Sequence, residues 1–285
     1  MPRGCSGFVA ACATNPEHPL RARAGILSQP VTNPLRTVTA TRYAEALREG
    51  GSLPGLLEAD DDGLYVTKFR GAGQGEGALV AEVLAGELGR AIGLPVPELV
   101  VIEVAAELGH AEPDPEIQEL IEASPGANLG MDFLPGALPF TLPADSTDVD
   151  PAFAADVVWF DALVTNVDRT HRNPNLLVWH GKIWLIDHGS AFFRQHGDQP
   201  IAQTVHKPVP MLAEHVLLPV AGPIAEADER LGSKALAAVG NAVAAIPDAW
   251  LGANPASRRG DLAAFLAQRL ARPRAFVQEI ERARS

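Results

Sequence analysis

The 285-residue sequence predicts an α+β fold in two parts: a small N-terminal antiparallel sheet with one helix, then a mostly helical C-terminal part. Three observations predict it. Between residues 43 and 69, three short β-type runs are separated by turn-forming clusters. Residues 76 to 93 carry the clearest helical apolar period in the chain. From Pro151 onward the apolar spacing is again helical, interrupted by one hairpin pattern.

Residues 1–38, rich in Pro, Ala, Arg and Thr without a sustained period, read as a poorly ordered extension that carries no chemistry. Tyr43-Ala44-Glu45-Ala46-Leu47 reads as the first strand and Gly50-Gly51-Ser52-Leu53-Pro54-Gly55 as a turn. Leu56 to Ala59 is the second strand, and Leu64 to Phe69, after the acidic turn Asp60-Asp61-Asp62-Gly63, is the third. Leu79, Val80, Val83, Leu84, Leu88, Ala91 and Ile92 then share one helix face, which Gly93 closes and Pro95 and Pro97 confirm. Glu98 to Val104 reads as a strand, acidic residues 112 to 123 as a short helix, and Asn128 to Phe133 as a strand that leaves through Leu134-Pro135-Gly136. The first part thus spans 39–133 and the second 134–285.

In the second part, residues 151 to 166 form an apolar helix, and Leu176 to Trp179 and Lys182 to Ile186 make a hairpin through His180-Gly181. Helices fill most of 210 to 282. Residues 258 to 285 carry seven arginines against three acids, which reads as the solvated side of an amphipathic helix whose apolar side is Leu262, Phe265, Leu266 and Leu270.

The formal net charge of −12 argues against extended contact with nucleic acid or an anionic membrane, because surfaces that bind phosphate backbones are basic. Cys5 and Cys12 are too few for a disulfide framework and lack zinc-ligand spacing, which fits a reducing compartment. No run approaches the ~18 apolar residues of a membrane span. The expectation is a cytoplasmic protein.

Asn166-Val167-Asp168-Arg169-Thr170-His171-Arg172-Asn173, followed by the hairpin and Asp187-His188-Gly189, is the sharpest chemical constellation. Phosphoryl transfer needs a carboxylate near the attacking hydroxyl and oxygen ligands for magnesium beside the nucleotide phosphates. Asp168 suits the first task, and Asn173 and Asp187 suit the second. Asp and Asn five apart also occur as ordinary turn residues, but a hairpin returning a second carboxylate to the same place favours chemistry. Lys68 sits in an otherwise apolar strand, where a charge is costly unless partnered. A nucleotide phosphate is such a partner, and Glu82 and Glu87 of the following helix are candidate ion-pair partners. Helical periodicity alone favours Glu87. The corner Gly50-Gly51-Ser52 can offer backbone donors to phosphates, although a plain hairpin turn explains it as well. His171, His180 and His188 form no ligand pair at an established zinc spacing.

These residues resemble the HipA-like kinases over about residues 41 to 250. Glu82 through Gly93-Leu94-Pro95-Val96-Pro97 is similar to that family's glutamate helix and its Gly-Leu-x-Val-Pro ending. Asp168 to Asn173 is similar to its Asp-x-x-x-x-Asn loop, and Ile186-Asp187-His188-Gly189-Ser190-Ala191-Phe192 to its metal-binding segment. The family loop commonly has His two residues after the catalytic Asp; here Thr170 takes that place and His171 follows.

The resemblance implies a two-lobed kinase-like fold with ATP between the lobes and Mg as cofactor. Asn128 to Phe133, Met131 among them, would lie near adenine, with Lys68 on the phosphates and Glu82 rather than Glu87 on Lys68. It further implies a Ser/Thr hydroxyl of a protein as acceptor, with an antitoxin-like regulator as a possible partner. A small-molecule kinase and a catalytically silent nucleotide-binding module are the alternatives.

Overall fold

The computed structural model describes residues 35–47, 54–73, 75–141, 149–197 and 201–284. Residues 1–34 of the expected extension, and Gly50, Gly51 and Ser52, lie outside the described residues.

The N-terminal sheet is a closed barrel rather than an open antiparallel sheet. Its strands are β1 (Arg36–Ala46), β2 (Gly55–Ala59), β3 (Leu64–Lys68), β4 (Leu99–Val104) and β5 (Gly126–Asp132), in the order β1-β2-β3-β5-β4. Closure comes from β1, whose first half (Arg36 to Thr39) pairs in parallel with β4 and whose second half pairs antiparallel with β2. The register shifts between Ala40 and Arg42, where one irregular residue lets the strand bend from one neighbour to the other.

The sequence reading began this strand too late. Val38 and Ala40 are buried while Thr37 and Thr39 are exposed, a two-residue alternation hidden among Arg and Thr side chains. Residues 36–38 therefore belong to the barrel and not to the extension.

Helix α1 (Gly75–Ile92) follows β3. Its end is a Schellman arrangement: Gly93 adopts φ 97°, its N–H reaches Arg90 O at 3.1 Å, and Leu94 N–H reaches Gly89 O at 2.9 Å. A β-carbon would be strained at that positive φ, so glycine is required there. Helix α2 (Pro115–Glu122) lies between β4 and β5, capped by Asp114 on Glu116 N–H. Helix α3 (Pro151–Val164) starts on an Asp150 cap and ends at Thr165, φ 55°. A second sheet, β6 (Leu138–Pro139), β7 (Leu176–Trp179) and β8 (Lys182–Leu185), turns through His180 and Gly181, both at positive φ as a primed hairpin turn demands.

The remaining helices are α4 (Ile201–Thr204), α5 (Ile224–Ala244), α6 (Pro255–Leu270) and α7 (Ala275–Ala283). The C-terminal amphipathic pattern is thus two helices, split at Pro273, which cannot continue one. Its arginines are not simply solvated. Arg269 is buried, with Nε on Leu163 O at 2.8 Å, Nη2 on Ala162 O at 2.6 Å and Nη1 on Val205 O at 2.8 Å. It thereby donates to two carbonyls in the last turn of α3, where Ala162 O otherwise accepts a long bond from Thr165 N–H at 3.4 Å. Burial lowers its pKa to about 10, and the guanidinium remains charged at neutral pH.

Two hydrophobic cores result. One fills the barrel with Val38, Leu57, Tyr65, Phe69, Val100 and Ile102 and reaches Ile117 and Ile121 of α2. The other runs through the helices and includes Leu79 to Ile92 of α1 together with Leu99 and Leu129. Alternation explains the division, since β4 and β5 turn successive side chains to opposite faces. Helix α1 packs chiefly on α5 and shares the second core, although the sequence grouped it with the sheet. Among the described residues no helix is long and apolar enough to cross a membrane.

Candidate active site

Pairing register places Lys68, the last residue of β3, opposite Leu129, and Val66 opposite Met131. These four residues share the barrel's outer face, the one turned toward α1. Met131 is therefore on the same face as Lys68, but it lies within β5, in register with both Val66 and Leu99, rather than in a free hinge. The strand continues to Asp132, and the chain leaves through a turn in which Ala137 N–H reaches Leu134 O at 3.1 Å. Asn128, at the other end of β5, is fully buried. Its Oδ1 accepts Arg70 N–H at 2.8 Å, so it braces the barrel.

Lys68 Nζ donates to Glu82 Oε1 of α1 and to Asp187 Oδ1 at 2.6 Å. The second Glu82 oxygen accepts His188 N–H at 2.9 Å, which fastens the helix to the Asp187 segment. Glu87 instead lies 3.6 Å from Arg90 on its own helix. The structure therefore pairs Lys68 with Glu82, against the helical-wheel reading. A helix beside a cleft can turn a carboxylate inward when a cation there repays its desolvation. Gly189 makes the approach possible: a β-carbon on it would sit 3.2 Å from Glu82 Oε1 and 3.6 Å from Ala78 Cβ.

Burial opposes the positive charge of Lys68, but Glu82 and Asp187 outweigh it and hold the ammonium pKa above the ordinary lysine value. Burial also opposes ionisation of Glu82, yet Lys68 and the bond from His188 keep this carboxyl well below its usual range. At Asp187 burial dominates. The attraction of Lys68 is offset by the repulsion of Glu82, and the carboxyl is shifted upward. One cation shared by two carboxylates leaves a net negative charge, and the Asp187 side chain is 38% exposed. Asp187 adopts φ 54°, a left-handed conformation that Asp tolerates better than most residues.

Asp168 and Asn173 lie in the loop after α3. Asn173 Nδ2 donates to Asp168 Oδ2 at 2.9 Å, Asp168 N–H donates to Asn166 Oδ1 at 3.1 Å, and Thr170 N–H closes the loop on Asn173 O at 3.0 Å. His171 is exposed and His180 is the turn residue expected. The ring of His188 is buried edge-on against Phe160, with centroids 6.0 Å apart.

Sequence reasoning missed a second ionic group beneath this loop. Asp161 Oδ2 accepts Arg169 Nε at 2.6 Å, with both side chains at most 1% exposed. Arg169 Nη1 reaches Asn175 O, and Ile186 O at 3.3 Å, tying the Asp168 loop to the residue before Asp187. The signal was present in Trp159-Phe160-Asp161-Ala162-Leu163-Val164, where a lone charge in an apolar helix demands a partner just as Lys68 does in its strand.

The arrangement brings Lys68, Glu82 and Asp187 into one contact group and Asp168 and Asn173 into another, joined through Arg169. Asp187 and Asn173 present carboxylate and amide oxygens, ligands suited to a hard divalent cation. Among the described residues no cluster of three or more His, Cys, Asp or Glu could hold a metal by itself. Such a donor set fits magnesium, which keeps several waters and shares substrate phosphates.

A family model described as HipA-like kinase matches residues 41–276. Of solved structures, the Helicobacter pylori proinflammatory kinase CtkA is similar at 16% identity and a TM-score of 0.54, over 86% of this chain and 99% of that one. The Golgi casein kinase matches at 13% identity and a TM-score of 0.42, over 88% of this chain and 73% of that one. The same kinase with Mn/ADP bound matches at 13% identity and 0.39, over 86% and 74%. No curated protein matches the sequence.

Proposed function

The chain belongs to the HipA-like kinase family, and from that premise we propose that it transfers a phosphoryl group from Mg-ATP to a Ser/Thr hydroxyl of a protein. The observation that carries the reading is the position of Lys68, held between Glu82 and Asp187 on the barrel face that also bears Met131. Lys68, a fixed cation, would neutralise nucleotide phosphates. Glu82 orients it from α1 and is itself held by His188 N–H. Asp187 and Asn173 would hold magnesium, which when bound supplies charge neutralisation between the phosphates.

Asp168, kept in place by Asn173 and by its own N–H on Asn166, would orient the acceptor hydroxyl and receive its proton. Met131 would line the adenine side through its side chain, since its main chain lies in register between two strands. Gly50, Gly51 and Ser52, which lie between β1 and β2 in the sequence, would offer backbone donors to the phosphates. Catalysis on this reading is positioning and electrostatics, with no covalent enzyme intermediate.

The test is a thermal-denaturation series followed by mass spectrometry of the protein incubated with Mg-ATP and candidate acceptors. Mg-ATP at a hundredfold excess over Kd should stabilise the fold by about 2.7 kcal/mol, and either component alone by less. Nucleotide-dependent stabilisation without transfer to any protein or small hydroxyl acceptor would replace the kinase reading with the silent module. Transfer confined to small molecules would keep the chemistry and change the acceptor.

A further inference from the structure

The Asp168 loop is held from outside by the segment 211–217. Thr170 and His215 form an isolated antiparallel bridge, and Val216 N–H donates to Arg169 O at 3.1 Å. His215 is 3% exposed, and both its ring nitrogens are used. Nδ1 accepts Leu217 N–H at 3.1 Å, which leaves the ring hydrogen on Nε2, and Nε2 donates to Asp161 Oδ2 at 2.9 Å. That carboxylate already accepts Arg169 Nε on the same oxygen and Asn166 Nδ2 on the other, at 3.0 Å. Asn166 in turn accepts the N–H of Asp168 at 3.1 Å. A continuous relay of hydrogen bonds therefore runs from His215 through Asp161 and Asn166 to the main chain of Asp168.

A plain core histidine would need partners for its two nitrogens and nothing more. His215 instead places a neutral donor on a carboxylate whose other donors both belong to the Asp168 loop. Arg169 already balances the charge of Asp161, so a second cation there would leave an uncompensated charge in the interior. A neutral imidazole adds a third bond without adding charge. We propose that His215 is a positioning residue for phosphoryl transfer, fixing through Asp161 the two residues, Asn166 and Arg169, that hold Asp168 in place. The inference rests on the kinase reading and names a residue on which that reading does not itself depend.

Two substitutions separate the bond to Asp161 from the bond to Leu217. His215→Gln can extend an amide N–H to Asp161 but leaves Leu217 N–H without its acceptor. His215→Asn can accept Leu217 N–H but is too short to reach Asp161. Positioning predicts that His215→Asn lowers kcat about tenfold or more with KM for ATP nearly unchanged, because sub-ångström misplacement acts on the transfer step. His215→Gln should restore most of that loss.

Amide hydrogen exchange at Asp168, Thr170 and Val216 supplies a readout independent of turnover and should be faster in His215→Asn than in His215→Gln. Wild-type kcat in His215→Asn, or equal loss in the two variants, overturns the proposal. If the wild type transfers no phosphate at all, the kinase reading falls, and exchange alone decides whether His215 holds the loop. Equal exchange in the two variants then overturns that too. If His215→Asn cannot be purified folded, His215→Ser, which also loses the reach to Asp161, takes its place under the same criteria.

Discussion

Lys68, Glu82 and Asp187 form one group of charges, and Asp161 and Arg169 form another, with only a loop and a hairpin between Arg169 and Asp187 in the chain. In the first, a single cation is divided between two carboxylates, and Asp187 keeps 38% of its side chain in solvent. In the second, charges match one to one, both side chains are sealed, and Arg169 Nη1 reaches two main-chain carbonyls while its Nη2 is buried without a partner among the described residues. The second cluster can only be lost. The first carries a negative surplus and an open side, so it gains from a further cation and can exchange partners. On the proposed reading, what separates a structural ion pair from a ligand site here is charge balance and exposure, since both contain the same kinds of residue.

The sharpest way to break that contrast is to unbalance the sealed pair. Asp161→Ala leaves the Arg169 guanidinium buried without its counter-ion and should cost about 3–5 kcal/mol in urea unfolding, enough to threaten the fold. A cost below about 1 kcal/mol would show that water or another group replaces the carboxylate. Low pH probes the same pair. Burial would raise the Asp161 pKa, but Arg169 and the bond from His215 hold it well below the ordinary aspartate value. Its contribution is thus fully present above the unfolded pKa of about 3.9 and is lost as pH falls toward the depressed folded value. Acid unfolding followed by circular dichroism should show wild type losing stability below about pH 4, and Asp161→Asn losing less over that range.

A change that touches chemistry without touching either balance comes next. Asp168→Asn should leave the melting temperature and Mg-ATP affinity close to wild type while transfer falls about a hundredfold, equivalent to about 2.7 kcal/mol in the barrier. Equal transfer rates in single-turnover assays would remove Asp168 from the reaction.

The open cluster should respond with the opposite sign to the sealed one. Asp187→Asn removes the surplus negative charge and leaves Lys68 paired with Glu82. The nucleotide-free protein should melt slightly higher, by at most about 1 kcal/mol because solvent screens this half-exposed group. Magnesium-dependent ATP binding should nevertheless weaken, as calorimetry with and without magnesium would show. A destabilised Asp187→Asn with intact Mg-ATP binding would make both clusters structural. The smallest effect belongs to Glu87→Gln, which gives up only a pairing with Arg90 one turn away and should change stability by less than about 0.5 kcal/mol and leave transfer unchanged.

Lys68, Asp168, Asn173 and Asp187 are singled out by the sequence because each stands out locally, as a charge in an apolar strand or by its spacing in a loop and hairpin; the structure gives their contacts, and their roles in transfer belong to the proposal. Glu82 could not be read from periodicity. A wheel ranks a helix position by its distance from the apolar face, and the cation that draws this carboxylate inward comes from another strand. Arg269 was hidden for a related reason, since its partner carbonyl at Ala162 lies 107 residues away, whereas Asp161 carried a local signal, a charge in an apolar stretch eight residues before Arg169, that went unread. The barrel closure was missed because a parallel pairing of β1 with β4 leaves no turn between them to mark it, whereas the β2–β3 and β7–β8 hairpins announce themselves through Gly63 and His180-Gly181.

Helix α1 has its apolar side in the core of the C-terminal helices, with Gly89 against Phe160, while Lys68 rides on a barrel that has a core of its own. The Lys68–Glu82 contact therefore joins two residues whose elements contribute to different cores. Were the two cores to shift as rigid blocks, α1 would stay with the helical block and Lys68 would travel with the barrel. The Lys68–Glu82 contact would then serve as a latch across the moving seam, engaged when the blocks are together and drawn apart when they separate.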